Sequence, residues 1–269
     1  MKTPDFSLLE SIRLRRPLVH CISNIVSAND CANLALALGA SPVMACAPQE
    51  MAFFSAASAV VLNTGTPGEE TFRACLLRGR EAARLGRPVI LDPVGVGASP
   101  WRLERAEALL AAFTPSLLRV NLGEAQALLH LESGERGVDG PNSDFAQRAE
   151  LARRLAGERG TAVLLSGRSD VVFSGGALWN ISGGSPLAVR VTGTGCMLSV
   201  LCGIFAAVEP DLSTAAVTAA AFWKACAHRA EVLSGGRGPG SFHTALLDAA
   251  GTLTAADCAG AARAELLLA

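Results

Sequence analysis

Apolar positions along this chain follow two alternating patterns. Uninterrupted runs of leucine and β-branched residues occupy positions 59–63, 88–93, 117–121 and 162–167, and each ends in turn chemistry. Between them, segments 69–85, 101–113 and 143–156 repeat their apolar residues at helical spacing. Continuous apolar strands separated by amphipathic helices predict a mostly parallel sheet covered by helices on both faces, an α/β architecture. Segments 171–173 and 177–181, split by Gly175-Gly176, predict an antiparallel hairpin or edge addition. The remainder reads as helical: 195–208, 212–233 and a last helix from about Ser241, with a small-residue amphipathic helix at 28–38 suited to packing against a neighbour. No repeat, low-complexity linker or domain boundary interrupts residues 1–269, which are expected to form one domain.

The helix at 195–208 is preceded by Val191-Thr192-Gly193-Thr194-Gly195-Cys196. A glycine turn opening a helix is an anion site, because its free N–H groups converge where the helix carries partial positive charge. Cys196 lies in the first turn, where that field favours an anionic side chain. A buried helix that happens to begin with glycines and carries a core cysteine would show the same letters. Polar residues also recur where the strands run out: Asn63, Asp92, Asn121 with Glu124, and Ser166. Ligands of open α/β sheets bind outside the carboxyl ends of strands, so these side chains are expected to share one rim. Acids beside a glycine nest suggest phosphoryl transfer, with 193–196 as the phosphate cradle and Asp92 and Glu124 as carboxylates for Mg²⁺. Strand-end turns and helix first turns commonly carry such acids without a metal. The chain has no Walker A sequence, so a P-loop enzyme is excluded.

Composition narrows the partners. Of 269 residues half are hydrophobic and 17% charged, with a formal net charge of −1, so the chain has no electrostatic footprint for nucleic acid or an anionic membrane. The expected partner is a small molecule. The apolar run 196–208 falls short of the roughly 18 to 20 residues a spanning helix needs. Residues 1–5 include an acid and no apolar stretch, so a secretory signal is not expected and a cytoplasmic location is. The eight cysteines stand singly, without Cys-x-x-Cys pairs, which argues against zinc or a disulfide framework. Four scattered histidines read as surface or satisfied core residues.

Read in order, His20-x-Ile22-Ser23-Asn24, Gly39-Ala40-Ser41-Pro42-Val43-Met44-Ala45, Asn63-Thr64-Gly65-Thr66, Asp92-Pro93-Val94-Gly95-Val96-Gly97, Arg119-x-Asn121-x-Gly123-Glu124, Gly193-Thr194-Gly195-Cys196-Met197-Leu198 and Gly238-Pro239-Gly240-Ser241-Phe242 resemble the motifs of hydroxyethylthiazole kinases. The resemblance spans nearly the whole chain. It implies a three-layer α/β/α, ribokinase-like fold and ATP- and Mg²⁺-dependent phosphorylation of the primary hydroxyl of 4-methyl-5-(2-hydroxyethyl)thiazole, in thiamine biosynthesis or salvage. It further implies a homotrimer with active sites between subunits. Matched by position, Met44, Gly193 and Asn24 would bind the thiazole, and Arg119, Ser166, Gly195, Thr194 and Asn121 would bind ATP. Asp92 and Glu124 would organise Mg²⁺ and phosphate, and Cys196 would face the substrate hydroxyl.

Cys21, Cys46 and Arg168 depart from the family pattern, which places asparagine, histidine and an acid there, and Ser166 stands where threonine is usual. Two of these changes are expected beside the acceptor pocket. Two other activities fit the letters: a kinase for another heterocyclic alcohol such as a hydroxymethylpyrimidine, and a transferase using Cys196 as a nucleophile activated by His20 or His228. A ribokinase-like binding protein without activity is a third reading, against which the intact acids and glycine cradle speak.

Overall fold

The computed structural model describes residues 4–131 and 145–268. In chain order these form α1 (Leu8–Arg15), β1 (Leu18–Ile22), α2 (Ala28–Leu38), β2 (Ser41–Val43), β3 (Ala59–Asn63), α3 (Glu69–Arg84), β4 (Val89–Asp92), α4 (Pro100–Ala112), β5 (Leu117–Val120), α5 (Leu122–Leu128), α6 (Phe145–Arg159), β6 (Ala162–Leu165), β7 (Asp170–Ser174), β8 (Ala177–Gly183), α7 (Thr194–Ala206), α8 (Leu212–Ser234), α9 (Pro239–Thr252), α10 (Ala255–Cys258) and β9 (Ala262–Leu268). Short 3₁₀ segments lie at Pro48–Phe54, Val96–Ala98 and Pro186–Arg190. Residues 143–144, expected to begin a helix, lie outside the described residues, as do the first three residues of the chain.

One nine-stranded sheet in the order β2-β1-β3-β4-β5-β6-β7-β8-β9 forms the middle layer. Strands β1 to β6 run parallel, and β7, β8 and β9 add antiparallel pairings at one edge. Period-two alternation assigns side chains to the two faces. Ala59 and Val61 of β3 and Ile90 of β4 join the core beneath α1, α2, α7, α8 and α9, whereas Val60, Leu62, Val89 and Leu91 join the one beneath α3, α4, α5 and α6. Because both of their faces are buried, β3 and β4 carry no polar residue until their ends. Helix α7 is apolar on nearly every side because it is enclosed, all of its residues from Met197 to Ala206 being buried between sheet and helices. Among the described residues no helix is long and apolar enough to cross a membrane.

The last element differs from expectation. Residues 262–268 are rich in good helix formers, yet they pair antiparallel with β8 as an edge strand. The ladder offered by β8 overrides a weak local propensity. The β7–β8 hairpin, turning at Gly175 and Gly176, is the expected one. Strands β1 and β2 and the short helices α1, α5 and α10 lack a pattern long enough to predict.

Candidate active site

The parallel strands end side by side, and their terminal polar residues form a hydrogen-bonded line. Asn24, just beyond β1, accepts the Val26 and Ser27 N–H groups on Oδ1, at 3.1 Å each. This fixes its amide, so Nδ2 donates to Asn63 Oδ1 (2.8 Å) and to Cys196 Sγ (3.3 Å). Asn63, ending β3, is oriented in the same way by Gly65 N–H (2.9 Å) and donates to Asp92 Oδ2 (2.7 Å). Asp92, ending β4, also accepts from Ser199 Oγ (2.7 Å) and faces Arg119 of β5 at 3.4 Å. Arg119 donates to Ser166 Oγ (2.6 Å), just past β6. Five neighbouring strand ends are thereby linked through side chains, and each amide orientation follows from a backbone partner.

Burial dominates the electrostatics. Asp92 is fully enclosed, and desolvation raises its carboxyl pKa to about 6, opposed by Arg119 and reinforced by nearby Glu124. For Arg119, burial works against the charge, but Asp92 and Glu124 outweigh it and the guanidinium pKa rises. Glu124 sits in the first turn of α5 and forms a capping box with Asn121: Asn121 Oδ1 accepts Glu124 N–H (2.9 Å) and Glu124 Oε2 accepts Asn121 N–H (2.8 Å). Its other oxygen accepts Gly95 N–H at 2.9 Å, tying the loop after β4 to the start of α5.

The glycine turn at α7 is built for close approach. Gly193 caps the helix at φ +83°, and a Cβ there would lie 2.9 Å from Ser27 Cβ. A Cβ on Gly195 would lie 2.5 Å from the Arg119 guanidinium, so the cation reaches the helix terminus only because that side chain is missing. The first helical bond is Met197 N–H to Gly193 O (2.9 Å), which leaves the N–H groups of 194–196 ahead of the ladder, where an anion is favoured.

A cavity of about 320 Å³ opens at this point, and its wall includes Asn24, Arg119, Asn121, Glu124, Gly193, Gly195 and Cys196. Seven of the eleven residues given site roles by the resemblance thus share one wall. Asp92 and Ser166 lie buried behind it, bonded to Arg119. Thr194 and Met44 lie outside the wall, Thr194 Oγ1 bonding back to Ala188 O and Val191 O and Met44 packing at the edge of the core. Val26, Ser27, Gly65, Thr66, Val94 and Thr192 complete the wall, and none of them carries a role in the sequence reading. Ser199 is a further member that the letters could reveal, since it lies one helical turn past Gly195 on the face that Asp92 meets. None of the three departures from the family pattern lines the cavity: Cys21 is buried in β1, with desolvation pushing its thiol up to about 12, and Cys46 and Arg168 are exposed. A larger depression of about 570 Å³ beside Phe6 and 259–264 holds none of the strand-end residues, and Arg263 is the ionisable residue in its wall.

A nucleophilic role for Cys196 lacks its base. His20 is buried, accepts from Arg78 Nε (3.1 Å) and contacts Ala45 O (2.9 Å), and desolvation lowers its pKa to about 4. His228 is exposed on α8, and among the described residues no histidine lines the cavity. The oxygen chemistry of the wall suits Mg²⁺, which retains waters and uses one or two carboxylates. Glu124 is the carboxylate in that wall, each of its oxygens having one backbone bond and a remaining lone pair; no cluster of three or more potential metal-ligating side chains occurs among the described residues.

The chain is similar to known proteins over nearly its whole length. The hydroxyethylthiazole kinase family matches residues 9–256. The chain is 43% identical over 260 residues to a hydroxyethylthiazole kinase of Methanoculleus marisnigri, covering 96% of this chain and 92% of that one. It is 42% identical over 246 residues to that of Listeria monocytogenes, covering 91% of each. A solved hydroxyethylthiazole kinase from Pyrococcus horikoshii superposes with a TM-score of 0.87 at 34% identity, over 97% of this chain and 98% of that one. A pyridoxal kinase from Staphylococcus aureus in complex with ADP shares the fold, with a TM-score of 0.62 at 12% identity over 80% of this chain and 88% of that one.

Proposed function

Since the chain belongs to the hydroxyethylthiazole kinase family, we propose that it is the kinase that moves the γ-phosphoryl group of ATP to the primary hydroxyl of 4-methyl-5-(2-hydroxyethyl)thiazole, in thiamine biosynthesis or salvage. The observation that carries this reading is the junction of the α7 N-terminus, Arg119 and Cys196 in one cavity wall. A cavity of about 320 Å³ suits a small heterocyclic alcohol.

In this reading the thiazole lies against Asn24, Gly193 and the Met44 segment, with its hydroxyl at Cys196. Asn24 Nδ2 donates to Sγ and so orients the thiol towards the acceptor. The N–H groups of 194–196 and the Arg119 guanidinium meet the phosphate oxygens, an arrangement that stabilises charge spread over the transferring group. Asp92, Ser166 and Asn63 hold Arg119 and Asn24 in place, and Asn121 with Glu124 forms the rest of the polar lining. Glu124 would hold Mg²⁺, which neutralises phosphate charge when bound, while Asp92, proposed for the same role from sequence, stays enclosed as the counter-charge of Arg119 and would contribute only its field. A loose transition state needs positioning more than a strong base, which is consistent with a thiol at the hydroxyl.

A homotrimer with sites between subunits also belongs to the proposal. Ile25 is 84% exposed beside Asn24, and Val189 is 90% exposed just before the glycine turn. These apolar residues flank the site in sequence, and a partner subunit covering them would exclude water from the phosphoryl group. We place the enzyme in the cytoplasm as one domain of residues 1–269, a reading supported by eight free cysteines.

The test is ³¹P detection of the thiazole phosphate together with ADP release, using Mg²⁺ present or absent and a panel of heterocyclic alcohols. Product formation with the thiazole alcohol and Mg²⁺ is expected. Turnover of a hydroxymethylpyrimidine alone would overturn the acceptor, and a covalent Cys196 adduct formed without ATP would overturn the reaction. A light-scattering mass of one 27.7 kDa chain with full activity on dilution would overturn the trimer.

A further inference from the structure

Next to the strand-end line lies a buried ion pair that the chemistry above does not use. Lys224 of α8 pairs with Asp170, the first residue of β7, at 3.2 Å, with side chains 11% and 2% exposed. The same ammonium donates to Gly167 O (2.9 Å) and Arg168 O (3.3 Å). Asp170 Oδ1 in turn accepts Gly167 N–H at 2.9 Å, closing the 166–170 turn on itself. From the other side Arg148 of α6 donates to Leu165 O at 3.1 Å. The turn between β6 and β7 is therefore held from two helices.

Space has been left for this arrangement. Gly184 has φ +87°, and a Cβ there would lie 3.0 Å from Lys224 Cδ. A buried ion pair is weak evidence for stability, since apolar residues of similar volume often serve as well. A lysine with three oxygen partners, all on one turn, instead specifies where that turn stands. The turn begins with Ser166, whose Oγ–H donates to Val120 O (3.4 Å) while Oγ accepts from Arg119 (2.6 Å). Displacing the turn moves the group that aims the guanidinium. Asp170 also contributes directly to the field that keeps Arg119 charged.

We propose that Lys224 and Asp170 are positioning residues for the nucleotide: by pinning the 166–170 turn they hold Ser166, and through it Arg119, where the triphosphate binds. The proposal rests on the assignment of Arg119 and Ser166 to ATP, and its test separates the two. ATP affinity is measured by calorimetry for the wild type, Lys224→Met, Asp170→Asn and Ser166→Ala, alongside kcat and the KM of the thiazole alcohol. For Lys224→Met the ATP Kd should rise at least about fivefold and kcat should fall with it, because Arg119 also meets the transferring group, while the KM of the thiazole alcohol stays within about twofold of wild type. Lys224→Gln, which keeps a donor, should recover part of the loss, and it replaces Lys224→Met in the test if that variant does not fold. An unchanged ATP Kd in folded Lys224 and Asp170 variants, while Ser166→Ala weakens ATP, overturns the positioning role alone. Equal losses in ATP affinity, alcohol affinity and melting temperature also overturn it, because they report a structural role only. If Ser166→Ala leaves ATP binding unchanged, the phosphate assignment falls, and the positioning role falls with it.

Discussion

Gly195→Ala is the sharpest probe of the helix terminus, because propensity and site geometry push it in opposite directions. In an ordinary helix the change is favourable by about 1 kcal/mol. Here the new Cβ would lie 2.5 Å from one terminal nitrogen of Arg119, 2.8 Å from the other and 2.9 Å from Cζ. The guanidinium must retreat by about 1 Å to restore van der Waals contact. That retreat breaks the 2.6 Å bond to Ser166 and draws the cation from Asp92, which is fully buried. Losing a hydrogen bond from a charged group costs about 1.5–3 kcal/mol, so net stability should fall by about 0.5–2 kcal/mol once the helical gain is subtracted. The kinetic loss should be larger, since the same cation is proposed to meet the phosphates: kcat/KM for ATP should fall at least about 30-fold, or about 2 kcal/mol. Urea unfolding and an ADP-release assay measure the two quantities. In the double variant with Arg119→Lys the losses should be far from additive, because both act through one contact. A Gly195→Ala enzyme that is as stable as wild type and within about twofold in kcat/KM would refute the reasoning.

Other expectations follow from the same network. Glu124→Gln keeps the shape but sets an amide N–H₂ against one of two backbone donors, Gly95 N–H or Asn121 N–H, so Mg²⁺-dependent turnover should fall at least about tenfold; unchanged turnover at every Mg²⁺ concentration would reduce Glu124 to a helix cap. Cys196→Ser should weaken the kinase without abolishing it, and Cys196→Asp should retain activity, since a carboxylate also accepts from Asn24 and can face the hydroxyl; a folded, ATP-binding and wholly inactive Cys196→Asp, with a trapped adduct on the wild type, would establish a nucleophile instead. His20 has a folded pKa of about 4 against 6.5 unfolded, caused by burial, so the stability it contributes is present above 6.5 and is lost as pH falls towards 4. Relative to wild type, His20→Asn should therefore show a flatter stability profile between those values in pH-dependent urea unfolding.

Local sequence determined much of this protein. Uninterrupted apolar runs at 59–63 and 162–165 marked strands buried on both faces, and the uncharged run after Cys196 marked an enclosed helix. Strand-end residues Asn63, Asp92 and Ser166 were visible because the apolar pattern stops there, and Gly193 and Gly195 marked a candidate anion site that a buried helix beginning with glycines would equally have matched. The motif order added the family, which no single residue identifies.

Tertiary structure decided the rest, because hydrogen bonds between strand ends depend on register and on which strands are neighbours. Asn63 lies opposite Asp92 in the β3–β4 ladder, so an amide and a carboxylate 29 positions apart become partners. Burial then separated residues that looked equivalent: Glu124 faces the cavity, while Asp92 sits behind Arg119 as its counter-charge. Residues 262–268 show the same limit at the level of an element. Their composition favours a helix, but the open edge of β8 supplies hydrogen bonds that only a strand can complete. Pairing of Ala262 with Gly183 and of Leu268 with Leu178 settles a choice between two backbone states of similar intrinsic energy, and no window of local sequence contains both partners.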